Sequence, residues 1–325
     1  MRTAVTPPEA GTRRRTPADG EPGPSAPPPR RRQQRGPRAV SWYTPWLFLL
    51  PIAILFVVFF LWPAVLAVQL AFYDYSVIRP AELVGLDNFR RMLGDERFWR
   101  AALNSLLYMV GLIPLNVVIP LVLAVMVNQK IRAIGAFRAI YYLPAITSMV
   151  AVAIAWRYVY NDAGIVNWVL QAFGITEQPI QFLLSTDWAL PSILFIEAWK
   201  QMGTYMLIYL AGLQAISSDV YEAATIDGAN TVQKFLRITV PLTIPYVAVV
   251  LTLTMESASK VFTSVFVLTG GGPDDSTMSL GYYIWSLAFQ RFEMGYASAI
   301  ALVLWAVLIV LAMLNFRVSR SRYDV

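Results

Sequence analysis

The chain has 325 residues, 57% of them hydrophobic, and a formal net charge of +6. Soluble domains are usually about 45–50% apolar, so this composition excludes an ordinary soluble protein and indicates a membrane protein. The sequence contains no cysteine and no histidine, which excludes disulfides, zinc sites of the usual kind and imidazole catalysis. An intramembrane enzyme is therefore disfavoured, and no metal site is predicted.

Residues 1–41 are rich in proline, glycine and arginine and contain almost no large apolar side chain. Such a segment cannot bury a core, so it is predicted to be a disordered, basic cytoplasmic tail. The tail either only enforces the orientation of the chain or also contacts anionic lipid headgroups. Basic residues at membrane borders account for the net charge, and no nucleic-acid partner is predicted.

Residues 42–322 are predicted to form an all-α integral membrane domain in the lipid bilayer. A membrane-spanning helix needs about 20 predominantly apolar residues. Six stretches qualify, at about 46–72, 101–127, 139–160, 188–213, 243–268 and 294–316. The first of them exceeds the apolar length of a signal peptide, about 7–15 residues, and is expected to stay uncleaved.

The distribution of charge between these spans predicts the topology. The loop 128–138 has three basic and no acidic residues, whereas 162–186 has acids but no Lys or Arg. Basic loops stay in the cytoplasm, so the first of these loops is predicted inside and the second outside. Both termini and the segment between the fourth and fifth spans are then cytoplasmic.

That cytoplasmic segment, residues 215–242, is polar and carries two helix start signals. Asp219 is predicted to cap a helix over 220–226, with Glu222 reaching back to the cap. Gly228 is expected to stop this helix.

A second helix is predicted to begin at Asn230, whose spacing to Gln233 is that of a capping box. Pro241 is predicted to break this second helix just before the fifth span. The expected result is a helix, a glycine turn and a helix lying against one membrane face.

The same segment carries a family motif, in which Glu222-Ala223-Ala224 is followed at fixed spacing by Gly228, Ile238 and Val240-Pro241. It resembles the EAA loop of permeases in binding-protein-dependent ABC importers, with Val240 in place of the usual leucine. Three further runs, at 84–89, 199–214 and 268–273, resemble the carbohydrate-uptake branch of that family. The run 268–273 is similar to the first permease subunit of the maltose and glycerol-3-phosphate type.

The resemblance implies that this loop is a coupling helix that docks into a separate ATPase subunit. An ordinary connector between spans is the alternative. The chain has no GxxxxGK[ST] phosphate loop, so it is expected to bind no cofactor itself, and ATP and Mg are expected on the partner ATPase. The implied coupling residues are Tyr221, Glu222, Ala223, Ala224, Asp227, Gly228, Ile238 and Pro241.

Charged residues occur inside two predicted spans, Glu197 and Lys200 in the fourth and Glu256 and Lys260 in the fifth. Each costs about 2.5–3.5 kcal/mol on insertion scales and therefore needs a reason. They either line a path for a polar solute or neutralise each other and hold helices together. The candidate path residues, several of them implied by the resemblance, are Trp199, Lys200, Gln201, Met202, Tyr205, Glu256, Ser257, Lys260 and Val261.

The resemblance thus implies a permease subunit of an ATP-driven importer for a sugar or sugar-like solute in the bacterial cytoplasmic membrane. The expected partners are a second permease that completes a heterodimer, two ABC ATPase subunits and an extracytoplasmic solute-binding protein. The alternative is a secondary transporter driven by an ion gradient, in which Glu197 and Glu256 would bind protons or sodium.

Overall fold

The computed structural model describes residues 43–76, 79–128 and 134–320, which are mostly helical. The predicted basic tail, residues 129–133 of the loop 128–138 and the last five residues lie outside these ranges. The chain divides into two units, Met1–Leu55 and Phe56–Val325. Residues 43–55 of the first unit are described, and residues 44–55 belong to one helix.

The helices in chain order are α1 (Thr44–Phe56), α2 (Trp62–Leu70), α3 (Asp87–Leu93), α4 (Glu96–Val127), α5 (Ile134–Ile146), α6 (Met149–Val159), α7 (Ile165–Ala172), α8 (Ala189–Gln214), α9 (Ser218–Ile226), α10 (Thr231–Lys234), α11 (Val240–Ser259), α12 (Thr263–Leu268), α13 (Leu280–Trp285) and α14 (Met294–Arg320). Three π-helical turns lie at Val57–Leu61, Phe235–Thr239 and Ser286–Gln290. The strands β1 (Tyr73–Ser76) and β2 (Arg79–Leu83) form an antiparallel pair.

Four helical stretches in the described residues are long and apolar enough to cross a membrane. The bent pair α5 and α6 makes a fifth if the two count as one span. Helix α8 has 26 residues, but its polar centre lowers its mean hydropathy and it is not among them. The four stretches are Trp46–Leu70, Glu96–Val127, Thr231–Ser259 and Met294–Leu314.

The predicted third span, 139–160, is two helices and not one. Helix α5 contains Pro144 and ends at Ile146, and α6 leaves it at an angle of 101°. A proline removes one backbone hydrogen bond and crowds the preceding turn. The Thr147 hydroxyl then donates to the Leu143 carbonyl at 2.9 Å, which takes an acceptor that the continuing helix would have used.

The predicted fifth span, 243–268, is also broken. Helix α11 ends at Ser259, and the chain resumes as α12 at Thr263. Between them the Val261 carbonyl accepts a hydrogen bond from the Ser279 hydroxyl of a distant segment. This contact satisfies a backbone acceptor that the break leaves outside the helical ladder.

Pro241 does not break the helix, contrary to the prediction. The helical stretch is continuous from Thr231 to Ser259. The π-helical turn Phe235–Thr239 precedes it, and the Val240 amide donates to the carbonyl of Phe235, five residues back. This wider turn accommodates the proline, whose missing amide matters least in a first helical turn. A similar π-helical turn precedes Pro63 in the first span.

Helix α4 lies at the centre of the second unit and packs against both α8 and α11. At its amino-terminal end the Asp95 carboxylate accepts hydrogen bonds from Tyr283 at 2.5 Å and Tyr296 at 2.6 Å. Partial burial raises the pKa of Asp95, but hydrogen bonds, chiefly those from the two tyrosines, outweigh it and hold that pKa below its ordinary value. The start of α4 is thereby joined to α13 and α14.

Candidate functional site

The predicted coupling segment begins with a capped helix, but the cap is Ser217 and not Asp219. The Ser217 hydroxyl accepts from the Asp219 amide at 3.3 Å. Ser217 has the extended backbone of an N-cap, whereas Asp219 already lies in the first turn of α9. There its negative charge still favours the helix by interaction with the exposed amides.

Helix α9 ends at a glycine turn, as predicted. Gly228 has a φ of +78°, a left-handed conformation that glycine adopts without penalty. The Gly228 amide donates to the Thr225 carbonyl at 3.1 Å, and the Ala229 amide donates to the Ala224 carbonyl at 2.9 Å. This pair of bonds is a Schellman motif and satisfies two of the final carbonyls of α9.

The predicted capping box at the start of α10 is confirmed. The Asn230 side chain accepts from the Gln233 amide at 2.8 Å, and the Gln233 side chain accepts from the Asn230 amide at 2.9 Å. The Lys234 ammonium donates a hydrogen bond to the Thr225 hydroxyl at 2.8 Å, which connects α10 to α9. The two short helices are therefore fixed relative to each other.

The two helices and the π-helical turn that follows them, residues 218–239, are called here the elbow. A further side-chain contact joins the first helix to the end of this turn. The Tyr221 hydroxyl lies 3.0 Å from the Thr239 hydroxyl of the π-helical turn. Among the predicted coupling residues, Ala224 and Ile238 are also partly buried, as Tyr221 is. The exposed ones are Glu222, Ala223, Asp227, Gly228 and Pro241.

The elbow carries three large apolar side chains that are more than half exposed, called here its apolar tip, and the sequence did not single them out. Ile226 is 87% exposed, Val232 64% and Leu236 58%. Apolar side chains exposed together on a folded segment favour contact with another protein or with a membrane. The signal in the sequence was the pair of apolar residues on either side of the glycine turn, Ile226 and Val232.

The candidate path residues do not gather in one cavity. Trp199 and Met202 line a cavity of about 480 Å³ at the break between α5 and α6. Glu256 and Lys260 line a second cavity, of about 280 Å³, between α11 and α14.

The remaining path residues are buried or partly buried. Tyr205 is only 2% exposed and lies beside Ser257, and Val261 is 3% exposed. Lys200 and Gln201 are partly buried on α8.

The larger cavity has aromatic walls. Trp199 meets Trp156 edge to face, with 5.4 Å between the ring centroids. Tyr141 and Pro144 of α5 complete the apolar lining. Flat aromatic faces of this kind suit the apolar face of a sugar ring, and ring contacts contribute beyond simple burial of area.

The two charged pairs behave differently. Glu256 and Lys260 form an ion pair within α11 and its cap, which is a contact inside one helix. Glu197 instead accepts from the Ser264 hydroxyl of α12 at 2.5 Å. Lys200 donates to the Ala145 carbonyl of α5 at 3.4 Å. Each member of this second pair therefore binds a different neighbouring helix.

No group of three or more acidic side chains in the described ranges is arranged to hold a metal ion. The described residues thus offer an exposed apolar surface at the elbow and an aromatic cavity beside α8.

Comparison with known proteins identifies the family. Residues 91–322 match the family described as "Binding-protein-dependent transport system inner membrane component". The chain is 35% identical over 84% of its length to the probable ABC transporter permease protein YesP of Bacillus subtilis, of which 89% is covered. It is 33% identical over 85% of its length to the lactose transport system permease protein LacF of Rhizobium radiobacter, of which 94% is covered.

A solved structure agrees with this result. The bacterial alginate ABC transporter in complex with an alginate pentasaccharide-bound periplasmic protein contains a chain with a TM-score of 0.75 and 28% identity. The match covers 86% of this chain and 94% of that one. The present chain is therefore a multi-pass membrane permease that belongs to the binding-protein-dependent transport system inner membrane component family.

Proposed function

We propose that this chain is one permease subunit of an ATP-driven importer that carries a sugar or sugar-like solute across the bacterial cytoplasmic membrane. The observation that carries the proposal is the elbow, a hydrogen-bonded segment whose apolar tip is exposed in a chain of this family. The relatives named for lactose and for alginate support the carbohydrate class.

The proposed topology has six membrane crossings with both termini in the cytoplasm. The four or five apolar candidates become six when the bent pair α5 and α6 and the polar helix α8 each count as one crossing. Helix α8 then crosses between α6 on the outside and the elbow on the inside. Its charges are tolerable because Glu197 and Lys200 bind neighbouring helices and not lipid.

The mechanism follows from the connection of the elbow to the spans on either side of it. A pair of ATPase subunits that close on ATP would draw the elbows of two permease subunits together. The attached helices α8 and α11 would tilt, and the aromatic cavity beside α8 would change its access from the cytoplasm to the outside. An extracytoplasmic solute-binding protein would deliver the solute, and hydrolysis would reset the assembly.

The energy source tests this proposal against an ion-gradient carrier. The purified assembly in liposomes is expected to accumulate solute only with internal ATP and Mg, at a rate that an uncoupler leaves unchanged. The measurement is the uptake of a radiolabelled solute presented on its binding protein. Uptake that an ion gradient drives without ATP would overturn the proposal.

A further inference from the structure

Helix α8 carries two charged side chains one turn apart, Glu197 and Lys200, and each of them contacts a different break in a neighbouring membrane segment. The break between α5 and α6 lies at Thr147–Ser148, and that between α11 and α12 at Lys260–Phe262. A break leaves backbone groups outside any helical ladder, and in a membrane these groups need partners from the protein.

At the first break, three carbonyls in the last turn of α5 have hydrogen-bond partners. Leu143 accepts from the Thr147 hydroxyl at 2.9 Å and Pro144 from the Thr147 amide at 3.2 Å. The Ala145 carbonyl accepts from the Lys200 ammonium at 3.4 Å. A cation at the carboxyl end of a 13-residue helix also interacts favourably with the partial negative charge there.

The backbone itself places Lys200 within reach of this break. Gly203, one turn further along α8, packs directly on α5, since a Cβ atom there would lie 2.2 Å from the Tyr141 carbonyl oxygen. Only glycine allows such an approach. The close contact brings the Lys200 side chain to Ala145 near the end of α5, four residues beyond Tyr141.

At the second break, α12 is held from both ends. The fully buried Ser264 at its start donates to Glu197 at 2.5 Å. At its end, Arg157 of α6 donates to the carbonyls of Val267 and Leu268. The six residues of α12 are too few to form a stable helix alone, so these contacts fix its position.

From these contacts we infer that Glu197 and Lys200 are positioning residues that hold the two broken membrane segments against α8. They do not act as ligands of the transported solute. Helix α8 is continuous over 26 residues and is separated from the elbow by only Ala215–Ser217. A movement of the elbow therefore reaches both breaks together through one rigid helix.

Hydrogen–deuterium exchange of the assembly in nanodiscs without solute tests this inference, and it does not depend on the proposed transport function. We expect Lys200→Met to speed amide exchange at residues 143–147 by about fivefold, the effect of losing one hydrogen bond. Exchange at 266–269 should stay unchanged. Glu197→Leu should instead speed exchange at 266–269 and leave exchange at 143–147 unchanged.

Two further variants serve as controls. Lys200→Arg keeps a cationic donor and is expected to restore wild-type exchange at 143–147. Gln201→Met is the matched control on the neighbouring position of α8 and should alter exchange at neither break. Wild-type exchange at 143–147 in Lys200→Met, or failure of the arginine variant to restore it, would overturn the role of Lys200.

A kinetic readout, which rests on the proposed function, separates positioning from solute contact. Lys200→Met is expected to lower kcat of ATP hydrolysis stimulated by the solute-loaded binding protein and to leave KM for that protein unchanged. The opposite result is that Lys200→Met changes KM for the binding protein loaded with a shorter or differently substituted solute and leaves kcat unchanged. That result would make Lys200 a solute ligand and contradict the inference.

Discussion

Replacing Gly228 with valine is expected to uncouple the permease from its ATPase without preventing membrane insertion. Gly228 has a φ of +78°, and a residue with a side chain pays roughly 1–2 kcal/mol in that conformation. A β-branched residue is the least suited to it. The two Schellman bonds at the end of α9 would be lost, and the elbow would no longer present its apolar tip in one orientation.

The measurement is solute-stimulated ATP hydrolysis by the reconstituted assembly, which should fall by about tenfold or more, the factor that corresponds to 1.4 kcal/mol. Gly228→Asn is the control, because asparagine adopts the left-handed conformation more readily than other residues. A Cβ atom at this position meets nothing within 4 Å, so the control tests conformation and not space. Full coupling in the valine variant would count against the proposed docking role of the elbow.

Removal of the indole ring of Trp199 is expected to impair solute passage while capture by the external binding protein stays intact. Trp199 lines the cavity at the break between α5 and α6 and meets the ring of Trp156. Burial of a large apolar side chain is worth about 1.5–3 kcal/mol. Loss of this face to the solute in Trp199→Ala should therefore lower the rate of uptake by about tenfold to a hundredfold.

Two variants distinguish this effect from simple unfolding. Trp199→Phe keeps an aromatic face and should retain most of the uptake. Phe195→Ala removes another ring that meets Trp156 edge to face, at 5.5 Å, but one that is 51% exposed and does not line the cavity. An equal loss of uptake in Phe195→Ala and Trp199→Ala would remove Trp199 from the path.

The local structure of the elbow was predictable because short-range rules determine it. The capping box at Asn230 and the glycine turn at Gly228 depend on residues within a few positions of each other. The choice of Ser217 over Asp219 as the first cap depends on the backbone angle at which the chain leaves α8. Both residue types are good caps, so the sequence alone did not separate them.

The breaks in the membrane segments were not predictable from hydropathy. Apolar content is nearly continuous through 139–160 and 243–268, and proline does not by itself distinguish a break from an accommodated turn. Pro144 lies just before a break, whereas Pro241 follows a π-helical turn within a continuous helix. At the break after Pro144, the local Thr147 hydroxyl and the distant Lys200 side chain satisfy freed backbone carbonyls.

The charged pairs illustrate the same limit. Spacing along α8 placed Glu197 and Lys200 on one face and predicted that they neutralise each other or line a path. Their actual partners, Ser264 and Ala145, are distant in sequence. The Ala145 carbonyl is within reach of Lys200 because Gly203 lets α8 and α5 approach each other closely.

The elbow is proposed to be a cytoplasmic surface that docks into a separate ATPase. The chain contains no cysteine, so a single Ile226→Cys variant provides one thiol at the most exposed apolar position of the elbow. The account predicts that this thiol is labelled by an impermeant maleimide only in inside-out vesicles and forms a cross-link to the ATPase subunit in the assembled complex. Labelling from the outer surface of intact cells, or an assembled complex in which Cys-directed cross-linkers never join position 226 to an ATPase subunit, would contradict it.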